Sequence, residues 1–175
     1  AGTSAATTVT FAITNVDDIA PSITSGTAGI NKAENSGAGQ TIYTITASDS
    51  DGGSVDSFAI GGTDASLLSV NASTGVVKLT ANPDYETKNS YSFTVTATDD
   101  SSNTSAATTV TFAITNVDDI APSITSGTAG INKAENSGAG QTIYTITASD
   151  SDGGSVDSFA IGGTDASLLS VNAST

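Results

Sequence analysis

The chain has 175 residues, 37% of them hydrophobic, which is enough for one sizeable core or for one core and part of another. Its 18 acidic residues face 4 lysines and no arginine, and a net charge of −14 excludes binding to a phosphate backbone. The absence of Cys, His, Met and Trp excludes thiol and Ser-His catalysis, haem ligation, the usual zinc sites and disulfides, and no apolar run is long enough to predict a membrane span.

Apolar residues alternate with threonine along the chain, a pattern that is typical of strands with one face inward and one in water. Turns rich in Gly, Asn, Asp and Ser separate the runs, and no window has a helical period. About seven strands in about 100 residues indicate an all-β fold, an antiparallel sandwich of the immunoglobulin type with Greek-key connections. In chain order the runs are TIYTITAS (41–48), SVDSFAIGG (54–62), LLSVN (67–71), TGVVKLT (74–80), YSFTVTATDD (91–100) and TVTFAIT (109–115).

An internal repeat fixes the organisation of the chain: residues 3–74 reappear unchanged as residues 104–175. The period of about 100 residues is too long for a solenoid and indicates a string of separate domains. We therefore predict that 1–18 is the last strand of a preceding copy, that 19–119 is a complete copy and that 120–175 is the first part of the next. The predicted partners are adjacent identical copies in the same chain.

Carboxylates follow the predicted strands, at the two poles of the sandwich. Aspartate is also common in solvated turns, and this second interpretation is strongest for Asp84, because Pro83-Asp84 is an ordinary turn opening. We assign Asp56, Asp64 and Asp100 to such turns.

The order AEN, ASDSD, NASTG, PDYE, ATD and NVDDIAP resembles the cadherin repeat, and this resemblance implies calcium bound between successive domains. In the cadherin linker a polar residue occupies the position of Ile120, so one of the usual three ions is expected to be a ligand short. Asn116 remains a possible donor. The implied ligands of one joint are Glu34, Asp84 and Glu86 from the complete copy, Asp118 and Asp119 from the linker, and Asp150 and Asp152 from the next copy; those of the preceding joint are Asp17, Asp18, Asp49, Asp51 and Asp99.

The chemistry of the acids also favours Ca²⁺ as the cofactor. Seven carboxylates at one joint repel one another unless a cation neutralises them, and calcium accepts about 6–8 oxygen ligands in irregular geometry. Magnesium demands a tighter octahedron and keeps its water, so it fits such a cage poorly.

Identical copies rich in Thr and Asp and without cysteine resemble the extender regions of giant bacterial RTX adhesins of the biofilm and ice-binding type. The resemblance implies a non-catalytic, calcium-rigidified spacer, secreted to the bacterial cell surface, that projects a distal ligand-binding region. The alternative is a calcium-dependent adhesion module that itself binds carbohydrate, a surface or another copy; Tyr85 is the one aromatic residue in a loop. We expect no enzyme activity, because acids at the poles of a narrow sandwich have no cleft. We also expect no small-molecule substrate, nucleic acid or membrane contact.

Overall fold

The computed structural model describes residues 1–174 and divides into two units, Ala1–Thr115 and Asn116–Thr175. The boundaries predicted from the repeat, after residues 18 and 119, stay predictions.

The first unit is built from β-strands, which agrees with the all-β prediction. The predicted run 41–48 is divided into two strands, and the other runs appear within a few residues of their expected ends. One 3₁₀ turn, Ala65–Leu67, precedes the sixth strand. The strands are β1 (Ser22–Ile23), β2 (Lys32–Ala33), β3 (Thr41–Thr44), β4 (Ala47–Ser48), β5 (Val55–Gly61), β6 (Leu68–Val70), β7 (Val76–Leu79), β8 (Ser90–Asp99) and β9 (Thr108–Thr115).

Two sheets enclose the core of this unit. One has the strand order β2-β9-β8-β5 and the other β3-β7-β6, while β1 pairs with β4. Pairing is antiparallel except between β2 and β9, which run parallel with Lys32 opposite Ile114 and Ala33 opposite Thr115. This pair differs from the wholly antiparallel expectation because the first and last strands of the copy meet at one sheet edge.

Apolar residues that alternate with polar ones along the strands form the core. On β8, Tyr91, Phe93, Val95 and Ala97 are all buried, and the ring of Phe93 lies edge-on to that of Tyr43 on the other sheet at 6.0 Å. This contact joins the two sheets through their facing side chains. The remaining buried hydrophobic residues are Ile42, Ile45, Leu68, Val77, Leu79, Val110, Phe112 and Ile114.

Strict alternation fails in β3. Ile42 and Tyr43 are neighbours in sequence, yet both are buried, because the register of β3 against β7 shifts between Thr41 and Tyr43. Such a bulge turns two successive side chains to the same face. The strand then leaves its sheet, and β4 pairs with β1 instead.

The second unit repeats the sequence of residues 19–74 with less regular structure. Its strands are β10 (Ser123–Ile124) and β11 (Ala148–Ser149), which pair antiparallel, and a 3₁₀ turn spans Ala166–Leu168. Within the described residues of this unit, no strand occupies the positions equivalent to β3, β5 and β6.

Residues 3–14 have the sequence of the end of the complete copy but not its structure. Val9, Phe11 and Ile13 are 83%, 87% and 88% exposed, whereas their counterparts in β9 are buried. The proposal that this segment is the last strand of a preceding copy remains a prediction from the repeat.

Candidate metal centres

Three aspartates meet at one pole of the first unit. One carboxylate oxygen from each of Asp17, Asp49 and Asp99 lies within 4.8 Å of the other two. Asp17 precedes β1, Asp49 follows β4, and Asp99 is the last residue of β8. The structure thus brings together three of the five residues predicted for the preceding joint.

The position of Asp99 follows from the strand that carries it. It continues the inward alternation of β8 and is only 2% exposed, so its carboxylate closes the end of the core. Oδ1 accepts hydrogen bonds from the backbone N–H groups of Ser101 at 3.0 Å and Asn103 at 2.7 Å. Oδ2 is enclosed and has no hydrogen-bond donor.

In Asp49 and in Asp51, likewise, one carboxylate oxygen accepts backbone hydrogen bonds and the other has no donor. Asp49 Oδ1 accepts the N–H of Asp51 at 3.1 Å, and Asp51 Oδ2 accepts the N–H groups of Asp18 at 3.1 Å and Ile19 at 3.2 Å. Asp49 Oδ2 and Asp51 Oδ1 are enclosed without a donor, as are both oxygens of Asp17.

These oxygens satisfy a simple test for a bound cation. An enclosed anionic oxygen without a donor is unfavourable, and native proteins pair or ligate nearly all such atoms. The atoms available are carboxylate oxygens, the ligands that calcium prefers, and the irregular arrangement matches its tolerance for mixed geometry. The residues therefore fit Ca²⁺, which would be held by Asp17, Asp49 and Asp99 with Asp51 beside them.

The acidity of these groups reflects their crowding. Burial raises the pKa of Asp17, and the negative charges of Asp99 and Asp51 raise it further. The pKa of Asp49 is raised mainly by its hydrogen bond with Asp51, and the same bond lowers the pKa of Asp51. Without a cation, protons thus relieve part of the repulsion.

The second unit has a related acidic group, in which Asp152, the counterpart of Asp51, is the third member. Oxygens of Asp118, Asp150 and Asp152 lie within 4.8 Å of one another. Asp152 is 6% exposed; its Oδ2 accepts the N–H groups of Asp119 at 2.7 Å and Ile120 at 2.8 Å, and its Oδ1 is enclosed without a donor. The hydrogen bond between the two carboxyl groups lowers the pKa of Asp152 to about 2 and raises that of Asp150.

A third group joins Glu34, Asp84 and Glu86 in the first unit, again within 4.8 Å. Glu34 is 3% exposed, and its Oε2 accepts the N–H of Tyr85 at 2.9 Å. Asp84 accepts both the N–H and the hydroxyl of Thr87, and these hydrogen bonds lower its pKa. Asp84 therefore has the turn role that its sequence context suggested and a place in the acidic group as well.

The remaining predicted ligands have other positions. Asp18 and Asp119 use their backbone N–H groups as described, and their carboxylates are not members of the three groups. The side-chain nitrogen of Asn116 donates a hydrogen bond to the backbone carbonyl of Asp152. Asp64, assigned above to a solvated turn, is instead 7% exposed, and its Oδ1 forms an ion pair with Lys88 at 3.0 Å.

Sequence reasoning missed two features of these sites. Asn15 makes the same hydrogen bond to the carbonyl of Asp51 as Asn116 makes to Asp152. Gly53 and Gly154 lie directly against the carboxylates of Asp17 and Asp118. Their invariance between the two copies could not reveal them, because every residue of the repeat is identical.

Comparison with known proteins identifies the domain that carries the Glu34 group together with Asp49 and Asp99. The family profile of the cadherin domain matches residues 30–115. This stretch is a cadherin domain. Human Cadherin-23 is 32% identical over 83% of this chain, which spans only 4% of the length of that relative.

Solved cadherin structures have the same fold. Cadherin-23 EC22-24 from mouse matches with a TM-score of 0.69 over 93% of this chain and 54% of its own length, at 21% identity. The protocadherin gammaB7 EC3-6 cis-dimer matches with a TM-score of 0.65 over 79% of this chain and 37% of its own, at 27% identity. The predicted immunoglobulin-like sandwich is thereby confirmed.

Membership of the family carries several conclusions. Cadherin domains are non-enzymatic adhesion modules, which confirms the prediction that this is not an enzyme. They are extracellular, and they bind Ca²⁺. Across the described part of the chain, no helix is long and apolar enough to cross a bilayer.

Proposed function

We propose that the chain is a calcium-stiffened spacer in a long surface adhesin. The observation that carries this proposal is the set of enclosed carboxylate oxygens without donors in the Asp17 group and on Asp152. A bound divalent cation removes the cost of these charges and, because its ligands come from a linker and a loop, fixes the linker to the loop.

In sequence, acidic residues of both units lie near the linker that follows residue 115. The N–H of Glu34 donates to the carbonyl of Thr115 at 3.1 Å, so the Glu34 group lies where β9 ends and the linker begins. Three further residues lead to Asp118, and they span about 10 Å at most. Both groups are thus close in sequence to the same linker, and the proposed spacer would use the acids on both sides of it.

The calcium affinity expected for such a site is that of extracellular modules, with Kd of about 10⁻⁴–10⁻³ M. At a hundredfold excess over Kd, one bound ion stabilises the folded state by about 2.7 kcal/mol. Calcium then acts both as a stabiliser of each copy and as the element that holds consecutive copies straight.

Two sequence features support placement in a giant bacterial adhesin of the RTX type. The copies are identical over residues 3–74 and 104–175, and they contain no cysteine. A stalk extended by exact duplication, and stabilised by calcium from its surroundings in place of disulfides, would combine these features. We propose a secreted, cell-surface location on this basis.

Direct recognition of a ligand by this segment has less support. Tyr85, the aromatic residue placed in a loop, packs partly buried against the core of the first unit. It therefore contributes to the domain interior, whereas an adhesive side chain needs exposure.

Small-angle scattering of the full chain tests the spacer. Addition of a chelator is expected to reduce the radius of gyration and to lower the melting temperature, because the repelling acids free the joint. The variant Asp150→Asn/Asp152→Asn should behave in calcium as the wild type does in chelator.

The repeat supplies a matched control for this experiment. Asp49→Asn/Asp51→Asn makes the same changes in the same sequence, but at the end of the first unit that the joint after residue 115 does not use. It should leave the calcium dependence of the scattering unchanged. Identical wild-type profiles with calcium and with chelator would refute the spacer mechanism.

A further inference from the structure

The linker, defined as Asn15–Ile19 and its copy Asn116–Ile120, has contacts with the following loop that need no metal. The Asn15 side chain donates to the carbonyl of Asp51, and the N–H groups of Asp18 and Ile19 both donate to Asp51 Oδ2. Three hydrogen bonds thus converge on one residue, and two of them end on an anionic oxygen, which strengthens them. The Asn103 side chain adds a longer bond to the carbonyl of Asp17, at 3.4 Å.

The second unit has the same contacts. Asn116 donates to the carbonyl of Asp152, and the N–H groups of Asp119 and Ile120 donate to Asp152 Oδ2. These bonds form although the strands equivalent to β3, β5 and β6 are not present among the described residues of this unit. The contacts therefore depend on the linker and its loop and not on a finished sheet.

A glycine provides the space for the linker carboxylate. A Cβ atom on Gly53 would lie within 3.0 Å of Cγ and both oxygens of Asp17, and one on Gly154 within 2.8 Å of the same atoms of Asp118. Contacts this short require the carboxylates of Asp17 and Asp118, which end flexible side chains, to move away. The positive-φ glycines include neither residue, so it is space and not backbone conformation that requires glycine here.

At Gly52, the preceding residue, the backbone conformation and not the space requires glycine. Its φ is +108°, a conformation that side chains rarely adopt, and a Cβ there would meet nothing within 4 Å. The two glycines of DSDGG therefore have separate tasks: the first allows the turn, and the second leaves room for the linker.

We propose that Asn15 and Gly53, with Asn116 and Gly154, are positioning residues that fix the linker to the module after it in the absence of calcium. The linker then belongs mechanically to the following module. This step rests on the calcium function proposed above, because it concerns what holds the linker in place when calcium is removed.

A spin label on a linker side chain tests this proposal, because the chain has no cysteine and one introduced thiol gives one labelled site. Val16 is 71% exposed and suits the label, and a label at the exposed Ala5 provides a reference ahead of the linker. In chelator, the label at Val16→Cys is expected to stay restricted, while the label at Ala5→Cys is mobile.

Two variants locate the cause. Gly53→Ala is expected to expel Asp17 and to make the Val16 label as mobile as the Ala5 label. Asn15→Ala removes a donor without adding volume and should increase the mobility to a smaller extent. Gly154→Ala, the same substitution in the other copy, is the matched control and should not affect this label.

The outcomes separate this inference from the calcium function. A Val16 label that is mobile in chelator and restricted only in calcium overturns the inference and leaves the spacer standing. If the Val16 label is restricted but calorimetry detects no calcium binding, the inference stands and the calcium function is overturned. Unchanged spectra in both Gly53→Ala and Asn15→Ala also overturn it, and an effect of only one removes the other residue from the proposal.

Discussion

The same sequence has two structures in this molecule, in residues 19–74 and in residues 120–174. In the first copy Ile42 and Leu68 are 0% and 6% exposed; their counterparts Ile143 and Leu169 are 38% and 47% exposed. The strands β3, β5 and β6 of the first copy pair with β7 and β8, which come later in the chain. The described part of the second copy contains no equivalents of these partners, and its side chains are correspondingly more exposed.

Other features are the same in both copies. The pair β1–β4 reappears as β10–β11 with the same register, and the hydrogen bond of Tyr43 to Ser25 reappears between Tyr144 and Ser126. The three linker hydrogen bonds also persist. The comparison separates two kinds of feature. The linker contacts form within a stretch of about 60 residues, whereas the core and the Asp99 member of the first acidic group depend on strands that come later in the chain.

The largest expected change in the free energy of unfolding comes from replacing the same phenylalanine by alanine in β9 and in residues 1–14. Phe112→Ala removes a ring that is 5% exposed in β9, and we expect a loss of about 3–5 kcal/mol in the free energy of unfolding. Phe11→Ala makes the same change where the ring is 87% exposed, and the expected effect is within about 0.5 kcal/mol. Urea denaturation followed by circular dichroism measures both, and equal losses would show that residues 1–14 are packed in solution.

A smaller effect concerns the pole that both copies keep. Because the pKa values of Asp17, Asp49 and Asp150 are raised, protons displace calcium at a higher pH than ordinary carboxylates would allow. Below the raised pKa, each competing proton lowers the calcium affinity about tenfold per pH unit.

Calorimetry at several pH values measures the two poles separately in two variants. Asp49→Asn/Asp51→Asn leaves the acids of the second unit intact, and Asp150→Asn/Asp152→Asn leaves those of the first unit intact. The calcium affinities should fall over the same pH range in both variants, since the cause is local to each pole. An affinity that stays constant from pH 7 down to the usual carboxyl pKa of 3.8 would contradict the crowding.

The smallest effect is expected at an ion pair that only the first copy forms. Asp64 accepts the N–H of Ser92 at 2.7 Å and pairs with Lys88, whose side chain is 34% exposed and therefore partly screened. Asp64→Asn should cost about 1 kcal/mol, and Asp165→Asn, at an exposed position of the second copy, close to nothing.

The pH dependence of the free energy of unfolding shows whether the negative charge of Asp64 causes the stabilisation. Burial opposes ionisation of Asp64 most strongly, but the Ser92 amide and Lys88 outweigh it and hold its pKa below the usual 3.8. A carboxyl group with a lowered pKa stabilises the fold above pH 3.8 and loses that contribution as the pH falls through its own pKa. The difference between wild type and Asp64→Asn should therefore disappear in acid; a difference that persists there would assign it to packing.

Much of the fold was predictable because period-two alternation is a local signal. The inward faces of β8 and β9 followed it residue by residue, up to and including Asp99. The bulge that buries both Ile42 and Tyr43, and the parallel pairing of β2 with β9, depend on partners about 35 and 80 residues away along the chain, and no local pattern encodes them.

The sequence predicted which acids come together better than it predicted the contacts of each carboxylate oxygen. Acids at strand ends meet at the poles, so the triad of Asp17, Asp49 and Asp99 could be expected. Which oxygen each carboxylate gives to a backbone N–H, and why DSDGG needs its second glycine, depend on the path of the linker in three dimensions. Asp64 was misassigned because Lys88, its partner, is 24 residues away and comes close only after folding.

The parallel pairing of β2 with β9 has a mechanical consequence. Tension on a stalk enters a copy at its beginning and leaves it at Thr115, so it pulls these neighbouring strands in opposite directions along their length. The hydrogen bonds from Thr111 to Thr27, from Gly29 to Thr111 and from Glu34 to Thr115 are then loaded in shear and share the force. An antiparallel pair at this edge would be peeled open one bond at a time, whereas this edge yields only when its bonds break together.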